Sequence, residues 1–590
     1  MNWNLKPLYE SFECEAFQND MKKLSDIVNE LVEWAKNIDI SEASVEEKLV
    51  DYIKQVEAIS LLGSRLGSFA HLTIAVDSKH SKASKAEENI DKIFSVLGQV
   101  DAIISSFVKK QENLMDMVEN SERLKPYSFF ISEIITQSSH VLSEKEEVLI
   151  AKMKQTGSTS WLNYKNLLIS THKVTVELDG KEEEMPLTMA LNLAYDSSKE
   201  VRKKAYEAEI ESYKKIEEGI AAALNAIKGQ VITISEMRGY ESPLHMTLEN
   251  SRMSKATLDA MLSAIREYLP VFRKYLRAKG EILGYSNGLP FYEMYAPVVD
   301  KEMKFDYEEG KEFILKNFGE FSDHLRDFAK KAFDNKWIDV LPKEGKIGGA
   351  FCSNLMSIGE SRILLNYGGN FGDVTTLAHE LGHGFHGECL TGESVLNTEY
   401  PMPLAETASI FCETIVNKAA IKEADKEEAF AILETSIGDA TQVVVDIYSR
   451  YLFETEVFEK RKDGFVTVDE LKEIMLQAQR DAYGDGLDPE YLHPYMWTWK
   501  SHYYYDDANF YNFPYAFGLL FAKGLYAKYL EDKANFPKAY EELLAVTGKM
   551  SIEDVTKIMN INVSDIEFWR GSLSIIEEDI KEFLEIAKQK

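Results

Sequence analysis

Cysteine is scarce: Cys14, Cys352, Cys389 and Cys412 are the four in 590 residues, and no two form a CxxC pair. So few thiols exclude a disulfide framework and suit a reducing cytosol. Proline and glycine are thinly spread, at 14 and 32, with no low-complexity linker and no internal repeat. Positive charge is short as well. Lys and Arg number 67 against 98 Asp and Glu, a formal net charge of -31. A surface that acidic repels phosphate backbones and anionic headgroups, so neither nucleic acid nor a membrane is an expected partner. Its plainer role is to keep the chain soluble. No apolar run is read as reaching the roughly 18 residues that span a bilayer, and "MNWNLKPLYESFECEAF" has no apolar signal-peptide core. The expected location is cytoplasmic. No P-loop, dinucleotide glycine pattern or nucleophile elbow is found.

What is present is hydrophobic periodicity. A chain this long exceeds the size of one core, so two or more lobes are expected. In "NDMKKLSDIVNELVEWAKNI", Met21, Leu24, Ile27, Val28, Leu31, Val32 and Ala35 recur at spacings of three and four, a helical stripe. Residues 85–118 repeat the pattern through Ile90, Ile93, Phe94, Leu97, Val100, Ile104 and Phe107, which predicts a long antiparallel hairpin of helices. At 173–186 the alternation of Val174 and Val176 around Asp179-Gly180 predicts a β-hairpin. A second helical series runs from about Ser198 to 335. The boundary is placed at 195, giving an N-terminal helical domain, 1–195, and a catalytic helical domain, 196–590. "GKIGGAFCSNLMSIGESRILLNYGGNFGD" (345–373) reads as a small β-element whose edge could capture an extended peptide by strand addition. "EKRKDGFVTVDE" (459–470) imitates a calcium loop but carries Arg461 where a carboxylate should bind, so it reads as a turn before a helix.

Histidine is also rare, 11 in all, yet His379, His383 and His386 fall within eight positions of "LAHELGHGFHGE". His379 and His383, four apart, project from one helix face and can grip a single Zn²⁺. Asp373 stands where the helix N-cap is expected. Glu380 lies beside His379 and can take a proton from water whose pKa zinc lowers to about 7. A third protein ligand is needed, with one position left open. The best candidate is Glu406 in "PMPLAETASIFCETIV", 23 residues after His383. Glu413, on the same helix face, is either an exposed or salt-bridged acid or a hydrogen-bond partner of a ligand histidine. His386 reads as packed or as an outer support. A rival reading is a helical scaffold that binds zinc or peptide without turnover, but such a scaffold has no use for the acid between the two histidines.

"LAHELGHGFH" followed by "LAETASIFCE", with "GAFCSN" and "RILLNYGGNFGDVTTLAHELGH" before them, resembles the oligoendopeptidase F family within the thimet oligopeptidase group of zinc peptidases. The resemblance implies a mainly α, clam-shaped, multi-lobed zincin-type fold with a deep central channel. It implies one Zn²⁺ held by His379, His383 and Glu406, Glu380 as general base, and short oligopeptides as substrates. It also implies that the aromatic stretch "PYMWTWKSHYYYDDANFYNFPYAFG" (494–518) supplies donors to the oxyanion, carried over as His502, Tyr511 and Tyr515. The spacing between histidine and tyrosines is longer than in some relatives, which leaves the choice among Tyr503, Tyr504, Tyr505 and Tyr511 open.

Overall fold

The structure, a computed structural model, describes residues 2–38, 44–299 and 303–589. Helices dominate, as the stripes require. Helix α1 (Glu15–Lys36) buries Leu24, Val28, Leu31, Val32 and Ala35 and leaves its polar face in solvent. It packs on α2 (Val45–Val76), whose N-cap Ser44 accepts from the Glu47 N–H. The 85–118 series is not continuous. It divides into α3 (Ser81–Phe94), α4 (Leu97–Lys109) and α5 (Leu114–Asn120). Ser95 turns its hydroxyl back onto the Lys92 carbonyl, and Asn113 takes a left-handed conformation, φ 53°. Each interrupts the ladder while leaving the apolar stripe, Ile90 through Phe107, in register with one core.

The α2 helix also departs from the sequence reading, being long and apolar enough to cross a membrane by length and composition. Here Leu66, Phe69, Ala70 and Leu72 are buried in the core, and Arg65 donates to the Leu8 carbonyl 2.8 Å away.

The hairpin forms as expected. Strands β1 (Lys173–Leu178) and β2 (Lys181–Pro186) pair antiparallel, with Leu178 opposite Lys181. Asp179 and Gly180 both take positive φ, 50° and 73°, as a two-residue turn between right-twisted strands demands. The calcium-loop look-alike is a turn: Thr467 caps the next helix, with Glu470 closing a capping box.

Buried apolar side chains form two clusters. One draws on Trp3 to Ile131, the other on Val174 to Phe583. They meet at a three-stranded sheet of β3 (Ile338–Asp339), β4 (Phe351–Leu355) and β5 (Glu360–Leu364). The order is β3-β5-β4, parallel then antiparallel, so β4 is an edge. Leu355 and Leu364 point into the first cluster and Ile363 into the second. The β-element therefore lies where the two clusters meet.

The remaining helices that position the site are α6 (Glu217–Met237), α7 (Phe371–Cys389), α8 (Thr407–Glu423), α9 (Lys426–Thr441), α10 (Ile447–Asp463) and α11 (Phe513–Glu531).

Candidate active site

The α7 helix starts three residues earlier than Asp373 as N-cap would allow. Asn370 is the cap: its Oδ1 accepts from the Asp373 N–H at 3.0 Å. Asp373 sits in the first turn and its Oδ2 accepts the N–H groups of Gly368, Gly369 and Asn370 at 2.8–3.0 Å. Three donors of the preceding turn need one acceptor, and a carboxylate inside the helix reaches all three where a cap residue could not.

The α7 and α8 helices touch through their backbones. A Cβ on Gly382 would lie 2.5 Å from the Ala408 carbonyl oxygen and 2.6 Å from Ser409 Cα. Only glycine permits that approach, and it brings Glu406, the residue before α8, over the histidine face of α7. Glu406 Oε2 lies 3.2 Å from His379 Nε2 and 3.4 Å from His383 Nε2. The ligand atoms of all three lie within 4.8 Å of one another. Ser409 Oγ donates to the same Glu406 oxygen at 2.7 Å. On the opposite side of Glu406, Gly518 of α11 gives the room that a Cβ, 2.9 Å from Glu406 Cβ, would take.

Supports stand behind the trio. Glu413 Oε2 lies 3.3 Å from His379 Nδ1, so of the two readings of Glu413 the geometry favours the histidine partner. Asn354 of β4 donates from Nδ2 to the His383 carbonyl at 3.1 Å and accepts from Ser361 Oγ at 2.8 Å. Sequence reasoning missed Asn354, which lies inside the quoted "GAFCSN" but has no spacing relation to the histidines. His386 does not join the trio. It is buried, stacked on Tyr400 with centroids 4.0 Å apart, and its Nε2 bonds Thr547 Oγ1 at 2.8 Å.

The electrostatics drive the pKa values of the facing groups apart. Burial pushes the His379 pKa down, but bonds to Glu406 and Glu413 outweigh it and raise it to about 10. His383 has no such second carboxylate among the described residues, and burial lowers it to about 4. For Glu406, burial is overcome by the His379 bond and the two imidazoles, which hold it near 2. Glu380 differs. Burial, helped by the Glu406 charge against that of His379, raises its carboxyl to about 7. It is 6% exposed, and its Oε2 has no hydrogen-bond partner among the described residues. Two imidazole nitrogens and a carboxylate oxygen in one small triangle fit a zinc ion with a corner left for solvent. The orphaned Glu380 oxygen beside them fits an acceptor kept for a reacting molecule. A cavity of about 750 Å³ opens from His379 and Glu380 past Thr375, Glu413, Asn417 and Asp439.

The aromatic stretch folds against the same site. His502 stacks on Tyr511, centroids 5.6 Å apart and 14° between planes, and meets Tyr515 edge-on at 6.2 Å. The Tyr511 hydroxyl lies 3.9 Å from the Met402 sulfur, one turn before Glu406. Tyr515 is close enough for the Glu406 charge to help hold its phenol protonated, after burial and its bond with Tyr511. Burial first, then Arg450, Lys500 and Lys165, lower the His502 pKa to about 4, so it is a neutral imidazole at pH 7. Tyr503 and Tyr504 are each 1% exposed, Tyr503 against Phe453 and Tyr504 bonded to the Trp497 carbonyl. They pack away from solvent, and Tyr505, Tyr511 and Tyr515 are the phenols that surround His502.

The chain is also similar to known proteins along most of its length. The profile described as "Peptidase family M3" matches residues 192–574, and one described as "Oligopeptidase F" matches 110–173. The chain is 23% identical over 592 residues to Oligopeptidase PepF of Bacillus subtilis (strain 168), covering 99% of this chain and 87% of that one. It is 25% identical over 604 residues to the oligoendopeptidase F homolog of Lactococcus lactis subsp. lactis (strain IL1403), covering 100% and 98%. Among solved structures it superimposes on oligoendopeptidase-F from Enterococcus faecium with a TM-score of 0.71 at 17% identity, covering 97% of this chain and 100% of that chain.

Proposed function

Because the chain belongs to peptidase family M3, as an oligoendopeptidase F-type peptidase, we propose that it is a zinc-dependent endopeptidase cleaving internal bonds of short oligopeptides. The observation that carries this reading is the pairing of a converged His379–His383–Glu406 triangle with a buried, unpartnered Glu380 oxygen. His379, His383 and Glu406 would hold the ion, with Glu413 fixing the His379 ring from behind. Zinc, when bound, supplies a Lewis acid that polarises the scissile carbonyl and lowers the pKa of water to about 7.

The chain's own groups do the rest. Glu380 takes the proton of the attacking water and delivers it to the leaving amine, a shuttle suited to a carboxyl poised near neutrality. Tyr511 and Tyr515, with neutral His502 beside them, would point donors at the oxygen on which negative charge develops. The edge of β4 offers backbone groups for an extended peptide, which would bring the scissile bond over α7.

Two measurements test the proposal. Chelator-stripped protein should lose hydrolysis of an internally quenched peptide and recover it with about one equivalent of Zn²⁺ per chain. Undiminished cleavage by the stripped protein contradicts the proposal. Tyr511→Phe and Tyr515→Phe should each lower kcat about 10- to 1000-fold while KM moves little, because a donor to the oxyanion acts only in the transition state. An unchanged kcat in both would assign the oxyanion to other donors.

A further inference from the structure

The turn that presents Tyr511 is gripped from beneath by two charges with no part in the chemistry above. Lys228 of α6 and Glu454 of α10 are 0% and 1% exposed, and their Nζ and Oε1 atoms lie 2.7 Å apart. Burial lowers the Lys228 pKa, with Glu454 opposing the shift. Removing two charges from water costs more than an apolar pair of similar size, so such a pair is weak evidence for stability and needs another account.

That account lies in what each partner does with its remaining bonds. Lys228 Nζ donates to Asn509 Oδ1 at 2.9 Å, and Glu454 Oε2 accepts from Asn512 Nδ2 at 2.9 Å. The ion pair therefore holds both flanks of Phe510-Tyr511. Thr247 Oγ1 adds a bond to the Asn509 carbonyl at 2.9 Å. Between these grips Phe510 takes φ 51°, a left-handed conformation that a bulky side chain rarely adopts. Its ring is stacked on Phe458 at 5.4 Å and lies 5.7 Å from Tyr451. Asn512 then starts α11 by accepting the Phe513 N–H. A strained residue persists only where its surroundings overdetermine it, and here the backbone it imposes turns the Phe510 ring inward while Tyr511 lies against His502.

We propose that the buried Lys228–Glu454 pair is a positioning device for Tyr511. It clamps Asn509 and Asn512, keeps Phe510 left-handed, and so holds the phenol against His502. Charge-assisted bonds to two asparagine side chains fix a turn more tightly than apolar contact does. The inference rests on the reading of Tyr511 as an oxyanion donor.

The test is a mutant cycle on the full-length, zinc-loaded chain, with kcat and KM for a quenched peptide, metal content and thermal midpoint measured throughout. The double substitution Lys228→Met/Glu454→Gln removes both charges at nearly constant volume. On the wild-type background it should lower kcat about tenfold or more and leave KM within about twofold. On a Tyr511→Phe background the same pair should change kcat less than about twofold, since the group it positions is already gone. An equal loss on both backgrounds would show general damage and overturn the inference, as would an unchanged kcat in folded protein. Should Tyr511→Phe alone leave kcat intact, the donor role falls and the inference with it. Should Tyr511→Phe be slow but uncoupled to the pair, only the inference falls. If the double variant does not fold, Asn512→Ala, which cuts one bond and leaves both charges in place, goes through the same cycle with the same outcomes deciding it.

Discussion

Glu380→Gln should bind zinc as well as the parent and lose peptide hydrolysis by about 10²- to 10⁴-fold. The substitution keeps the shape of the side chain, and among the described residues the trio of His379, His383 and Glu406 bonds to one another, Glu413 and Ser409 rather than to the Glu380 carboxylate. What disappears is an acceptor able to receive a proton and return it. The environment makes Glu380 apt for that exchange: burial holds its pKa at about 7, while Glu406, also carboxylic, is held near 2 by the imidazoles that face it. Two acids in one site are thus driven apart into a proton carrier and a permanently charged ligand. Metal content by atomic emission and turnover of a quenched peptide separate these roles. Parental turnover in the variant would remove Glu380 from the mechanism.

The parts of this site that could be read from the sequence are the local ones. Spacing of four places His379 and His383 on one face whatever the rest of the chain does, and the helix that carries them is observed. Glu406 was reachable because it opens the next long helix, but its approach depends on Gly382 meeting Ala408 and Ser409, a contact between two segments that no periodicity encodes. The same limit explains the misplaced cap. Asn370 and Asp373 both suit a helix start, and the choice was made by three turn N–H groups needing one acceptor. It explains the broken 85–118 series too, since the stripe continues across Ser95 and Asn113 while the backbone does not. Partners far apart in the chain were invisible: Asn354 under His383, Tyr400 on His386, and Lys228 joined to Glu454 across 226 positions.

Glu406→Ala should weaken zinc binding far beyond the effect of Glu413→Gln. Losing an outer partner of a ligand histidine costs about 10- to 100-fold in metal affinity. Glu413 stands in that relation to His379, touching Nδ1, the nitrogen turned away from the triangle. Glu406 instead faces the Nε2 atoms of both histidines with one oxygen, and no other carboxylate among the described residues completes a three-ligand group there. Without it two imidazoles remain, too few for a stable site with one position open to solvent. Competition against a fluorescent chelator ranks the two variants directly, and peptide turnover at limiting zinc should follow the same order. The reverse order, with Glu413→Gln stripping the ion and Glu406→Ala retaining it, would make Glu413 the ligand. That outcome would require the His379 ring to turn over and present Nδ1 to the metal, which the 3.2 Å contact of Glu406 with His379 Nε2 on the inner side argues against.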